Sequence, residues 1–390
     1  MNFKDIGLDF KRILRLTQDL IRIRTSLPEG NELDLVKYIQ ALFEDYDVDC
    51  DIVYHGNNRA SFVLAVKGQR SDVQTAFVGH VDTIEPISPR EWVHAPYSAD
   101  FEGGIIYGNG ASNGKSGVAA MIYTALYLLE NHIVPKNDVI MCFTADGDGN
   151  GIGAATICEG GFLRNASEIV FADPTNARIG IAQKGVLWLD VIARGRVFHV
   201  LDSARSVNSL ARMFSMSEKI HAFIHSLPEH EVLGKSTSFM TNLNTGENEI
   251  CTLPREARAT FDIRYNPHIN GREILNKIDE IARSEMADFP GLSVDVMTLQ
   301  QRDPIGISED APIILALSEC YGKLSAKPVK IGLGFFSDSS RIVPRLGVPF
   351  ALLGPGDWIY KDRGDEFVLL ESIVLVSRIY IDYLKGKEII

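Results

Sequence analysis

Apolar residues recur at three- to four-residue spacing from Phe10 to Ile23, and the pattern repeats from Asn31 to Phe43. Both stretches predict amphipathic helices. Short β-branched and apolar runs follow: Ser61–Val66 and Thr75–Val78 predict strands, the second continuous enough to be buried within a sheet. Helical spacing returns at Val118–Leu129, after Gly117, and Val139–Phe143 reads as another buried strand. Strand, helix and strand in this order predict a largely parallel sheet wrapped by helices.

The texture changes after Lys184. Val186–Ala193 and Glu256–Tyr265 alternate as half-buried strands, while Asn208–Leu227 and Arg272–Ala287 carry helical spacing. This pattern predicts a smaller α+β domain over 185–298, inserted into an α/β domain formed by 1–184 and 299–390. The parallel-sheet texture resumes with Ile313–Tyr321 and Val348–Leu353, and the helix Leu369–Leu384 closes the chain.

The length of 390 residues supports two domains rather than one core. A net charge of -12 disfavours nucleic acid and anionic membranes as partners, since both select a surplus of Lys and Arg. Charged residues interrupt the first twenty positions, so a secretory signal is not expected, and no run of about 18 uncharged apolar residues predicts a membrane span. Five scattered cysteines without a CxxC pair fit free thiols in a reducing, cytoplasmic setting.

Candidate chemistry gathers where strands end. Gly79-His80-Val81-Asp82 follows the strand ending at Val78, at the carboxyl edge where open α/β sheets place their sites. His80 could ligate a metal through one ring nitrogen while Asp82 fixes its orientation, or the pair could be ordinary loop chemistry. Gly108-Asn109-Gly110-Ala111-Ser112-Asn113-Gly114-Lys115 opens a helix, as a cap or a weak anion site, without the spacing of a phosphate loop. Thr144-Ala145-Asp146-Gly147-Asp148-Gly149 follows the next strand, with the alternative that its aspartates form only a solvated turn. Asp173 follows a further apolar run, and Gly354-Pro355-Gly356 leads to Asp362, Asp365 and Glu366.

In order and spacing, these pieces resemble the acetylornithine deacetylase, succinyl-diaminopimelate desuccinylase and carboxypeptidase G family of dinuclear-zinc amide hydrolases. The resemblance runs over nearly the whole chain. It includes Gly195-Arg196-Val197-Phe198-His199 and Asp262-Ile263-Arg264, which look like the family's lid and dimerisation domain.

The resemblance implies His80, Asp148, Asp173 and Asp362 as metal ligands, with Asn113 at the position of the bridging aspartate. It implies Asp82 as the orienting carboxylate, His199 as an oxyanion-stabilising residue, and Arg264 with His199 as substrate-binding residues. Four positions of the implied metal site and general base depart from the family pattern. Asn113 stands for the bridging aspartate, Gly147 and Asp148 for paired glutamates, and Asp362 for the last histidine. With Gly147 the general base is gone, and only Asp146 or Asp148 lies close enough in sequence to replace it.

The expectation is therefore an amide-hydrolase scaffold for N-acyl amino acids or small peptides in which ordinary dinuclear-zinc hydrolysis is reduced, changed or lost. At most one weakly held divalent ion, Mn, Mg or Zn, is expected. The alternatives are a non-catalytic homologue that binds an amino-acid derivative or a protein partner, and an ordinary deacylase or peptidase with rebuilt ligands. A homodimer is the family's default.

Overall fold

The computed structural model describes residues 7–88, 91–196, 206–246, 251–361 and 363–386. Two expected site residues, His199 and Asp362, lie outside these described residues. The chain divides into two compact units: one contains residues 1–181, 307–331 and 337–390, the other 182–306 and 332–336.

The larger unit is α/β. Its sheet runs in the order Asp49–Gly56, Arg59–Val66, Asn137–Thr144, Arg70–His80, Ala166–Phe171, Phe350–Leu352 and Ile179–Gln183. The four strands from Asn137–Thr144 to Phe350–Leu352 are mutually parallel, and antiparallel strands extend the sheet on either side.

Strand Arg70–His80 illustrates how burial selects the local sequence. Its first residues, Arg70, Ser71 and Asp72, are exposed, whereas Thr75 to His80 are buried between neighbours on both edges. In register, His80 lies beside Thr144 and Val78 beside Phe171, so three parallel strands end together. The loops after them carry Asp82, Asp146–Asp148 and Asp173.

Helices Phe10–Arg22, Lys115–Glu130 and Leu370–Lys385 pack on one another within this unit. The first is capped by Asp9, whose carboxylate accepts from the amides of Lys11 and Arg12. Lys115–Glu130 begins two residues before the expected opening at Gly117. Gly114 sits at φ 92°, and a Cβ there would come within 2.8 Å of the His80 ring. Ile313–Tyr321, whose apolar texture accompanied the sheet runs in sequence, belongs to the helix Pro312–Lys323, which opens on Pro at its first position.

The smaller unit is a four-stranded antiparallel sheet in the order Thr237–Asn244, Glu256–Tyr265, Gly185–Arg194 and Ser293–Arg302. Helices Ser209–Ser226 and Gly271–Asp288 supply Met213, Ile220, Ile274 and Ile278 to a core shared with Leu187, Leu189, Phe261 and Ile263. Asn208 and Asn270 cap these helices through their side-chain oxygens. Residues 332–336, which the sequence pattern leaves with the first domain, join this unit because the Phe336 ring packs on Trp188 and beneath the Arg264 and Arg302 guanidiniums. Among the described residues no helix is long and apolar enough to cross a membrane.

Candidate metal centre

His80, at the end of its strand, is buried with both ring nitrogens engaged. Nδ1 lies 3.0 Å from the backbone carbonyl of Asp82, which can only accept, and Nε2 lies 3.2 Å from Asn113 Oδ1. The Asn113 amide group then points its Nδ2 donor at Asp148 Oδ2, 2.7 Å away. Turning that amide over would set its oxygen against a carboxylate, so the network fixes its orientation. With acceptors at both nitrogens, the imidazole is satisfied only as the doubly protonated cation. Burial works against that charge, but the carboxylates of Asp148, Asp82 and Asp338 outweigh it and push the His80 pKa up to about 10.

Asp82, fully buried, is spent on the loop that follows the next strand. One oxygen accepts from the Gly147 amide at 2.7 Å and the other from the Asp148 amide at 3.0 Å. This closes the Gly147 loop onto His80. A Cβ built at Gly147 would stand 2.4 Å from His80 Cβ and 2.8 Å from His80 Cγ, far inside ordinary contact distance. The position therefore accepts no side chain in this backbone, let alone a glutamate aimed at a reacting water.

Asp148 is held from two sides. Besides the Asn113 amide, Lys361 places its ammonium 2.5 Å from Asp148 Oδ1, with both side chains mostly removed from solvent. Burial alone would raise the Asp148 pKa, but Lys361 and His80 reverse that and hold it low. Asp173 accepts from the Ser337 hydroxyl at 2.7 Å, and burial pushes its pKa up to about 6 despite that bond and the nearby His80 charge. Asp338 accepts the Thr144 hydroxyl. The turn bearing Asn113 is fixed by Glu366, whose Oε1 accepts from the amides of Ser112 at 2.7 Å and Asn113 at 3.0 Å.

Asp146, weighed above as a replacement base, has a different occupation. It sits at φ 63°, pairs with Arg59 at 3.2 Å, and accepts from the amides of Asn150 at 2.8 Å and Ile152 at 3.4 Å. These contacts tie the loop to the start of helix Ile152–Glu159 and to the buried Arg59–Glu32 pair. Arg264, in the smaller unit, is engaged by Asp262 through Nε at 2.6 Å and Nη2 at 2.8 Å.

Sequence reasoning missed Lys361, Ser337 and Asp338. A lone lysine in the polar stretch Tyr360-Lys361-Asp362-Arg363 carries no signal of its own. Ser337 and Asp338, in the run Ser337-Asp338-Ser339-Ser340, likewise carry none.

Among the described residues, those that could hold a metal are His80, Asp82 and Asp148, whose ligand atoms lie within 4.8 Å of one another. Their donor set does not fit a pair of divalent ions. Asn113 presents a neutral amide whose N–H₂ faces Asp148, both His80 nitrogens face acceptors, and each Asp82 oxygen already accepts a backbone amide. An ion ligated by Asp148 would share that carboxylate with the Lys361 ammonium, and two charges on one carboxylate lie on the order of 4 Å apart. At an effective dielectric constant of about 20, like charges at that distance repel by about 4 kcal/mol, doubled for a dication.

The sequence profile of peptidase family M20/M25/M40 matches residues 76–386. The chain belongs to this family. Among M20 relatives, a probable succinyl-diaminopimelate desuccinylase of Staphylococcus epidermidis is 22% identical over 401 residues, covering 96% of this chain and 97% of that one. A succinyl-diaminopimelate desuccinylase of Wolbachia pipientis is 25% identical over 288 residues, covering 71% of this chain and 70% of its own. Aminopeptidase PepT of Bacillus cereus shares the fold at a TM-score of 0.78, with 15% identity over 97% of this chain and 99% of that one. The Bacillus subtilis YXEP protein, described as a dinuclear metal binding peptidase of the M20 family, does so at 0.71, with 16% identity over 96% and 97%.

Proposed function

We propose that this M20 chain is a non-hydrolytic member of its amide-hydrolase family, which binds a small N-acylated amino acid without a dinuclear metal centre. The observation that carries this reading is the double occupation of Asp148, by the Lys361 ammonium and the Asn113 amide, where a ligand carboxylate would otherwise face a cation. The closed Gly147 loop adds to it, because the family's proton acceptor has no room at that position. The ligand class is carried by the near-full-length relatives named as desuccinylases.

The test is metal analysis and turnover on the same preparation. Purified protein is dialysed, its zinc and manganese are measured by plasma mass spectrometry, and N-succinyl-diaminopimelate, N-acetylornithine and dipeptides are assayed with zinc, with manganese and with chelator. Calorimetry with the same compounds reads binding. Less than one ion per chain, background turnover and saturable binding are expected. Two retained ions with hydrolysis that chelator abolishes would overturn the reading.

A second reading is favoured by the closeness of His80, Asp82 and Asp148: a single Mn or Mg ion supporting residual hydrolysis. It requires Lys361 to leave Asp148, and manganese-dependent turnover in the same assay would select it.

A further inference from the structure

We infer that Lys361 is a resident cation: its side chain takes the place of a metal ion against Asp148 and is the residue that keeps divalent ions out of this site. The inference rests on the metal-free reading above and goes further by assigning the exclusion to one side chain.

Lys361 is delivered by a segment pinned at both ends to the turn that bears Asn113. At one end Asp357 donates its amide to Ser112 Oγ at 2.9 Å and accepts from the Ser112 hydroxyl through its carbonyl at 2.7 Å. At the other, Glu366 holds the amides of Ser112 and Asn113, and its carbonyl accepts from Gly108 at 2.8 Å. Between them the short turn Trp358–Tyr360 is capped by the Asp357 carboxylate, and the Lys361 amide closes it by donating to the Trp358 carbonyl at 3.3 Å. The ring of Tyr360 lies 4.3 Å from that of Phe367. The lysine therefore emerges from a braced turn, and its reach to Asp148 is set by the fold rather than by chance contact of a surface chain.

The ammonium does for Asp148 what an ion would do: it neutralises a carboxylate that is largely buried. It does so with one charge instead of two, without vacant coordination positions, and so without the means to activate water. A neutral side chain of similar length removes the ammonium that a divalent ion at Asp148 would have to displace.

The experiment compares wild type, Lys361→Met and Lys361→Arg, with folding checked by circular dichroism, titrated with zinc or manganese chloride alone in a calorimeter, with manganese confirmed by electron paramagnetic resonance. Lys361→Met should bind one ion at least about 100-fold more tightly than wild type, whereas Lys361→Arg, which keeps the charge, should not. A folded Lys361→Met that binds no better than wild type overturns the inference and leaves the metal-free reading standing. Equal gain in both variants also overturns it, because shape and not charge would then exclude the ion. Two ions on the wild type, with chelator-sensitive turnover, is the separate result that removes the metal-free reading itself.

Discussion

Replacing Gly147 by alanine adds one methyl group to a loop that has no space for it. The new Cβ would lie 2.4 Å from His80 Cβ, an atom fixed to the strand backbone, and 3.4 Å from Asp338 Oδ2. Carbon atoms at rest sit about 3.5–4.0 Å apart, so the loop must retreat by roughly 1 Å or more. Retreat lengthens the bonds from the Gly147 and Asp148 amides to Asp82, now 2.7 and 3.0 Å. Overpacking of this kind costs about 1–3 kcal/mol, and each hydrogen bond to a charged acceptor is worth about 1.5–3 kcal/mol. Partial loss of both places Gly147→Ala at about 2–4 kcal/mol of destabilisation. Gly147 does not have a left-handed backbone, so the cost is steric.

The assay is urea unfolding followed by tryptophan fluorescence in a Trp188→Phe background, where Trp92 and Trp358 report on the larger unit. A midpoint lower by about 1 M is expected. Gly322→Ala, in the helix Pro312–Lys323 with open space around it, is the control and should stabilise by about 0.5–1 kcal/mol. If Gly147→Ala unfolds within about 0.5 kcal/mol of the parent, the loop is not closed on His80 and the steric argument for the missing base fails.

Asp146→Ala should destabilise by about 2–4 kcal/mol, through loss of its loop contacts and the cost of a left-handed alanine, while Asp146→Asn should lose about half as much. Calorimetric ligand binding should be unchanged in Asp146→Asn, and a loss there would return this carboxylate to the binding site. The His80 pKa is raised in the folded state from its usual 6.5 to about 10, so its contribution to stability is complete below pH 6.5 and disappears as pH rises through 10. Urea midpoints measured from pH 6 to 10 should fall more steeply for wild type than for His80→Gln, and parallel curves would show that the ring is neutral.

Much of the scaffold was legible because its signals are local. Asn208, an N-cap residue just before a run of apolar helical spacing, marks the helix Ser209–Ser226, and the alternation in Glu256–Tyr265 matches its buried and half-buried faces. The exposed-to-buried gradient along Arg70–His80 likewise places His80 at a strand end. The site was only half legible. His80, Asp82, Asn113 and Asp148 could be found from spacing, because each follows a strand or precedes a helix. How they pair could not, because that depends on partners far away in sequence. Lys361 lies 213 residues from Asp148, and nothing near either residue points to the other. In the sequence Gly147 is only a missing glutamate, whereas in the structure it is the point where the loop meets His80.

The distance along the chain between Asp148 and Lys361 also sets an order of events during synthesis. At about 5–20 residues per second, the carboxylate leaves the ribosome roughly 10–40 s before its ammonium partner exists. The smaller unit, residues 182–306 and 332–336, is made entirely within that interval. Glu366, which fixes the Asn113 turn from 253 residues away, arrives later still. The nascent larger unit therefore passes through a period in which Asp148 is present without its lysine partner. Its final closure is a late, long-range step, bound to the completion of the C-terminal segment and slower than the local helices and hairpins that precede it.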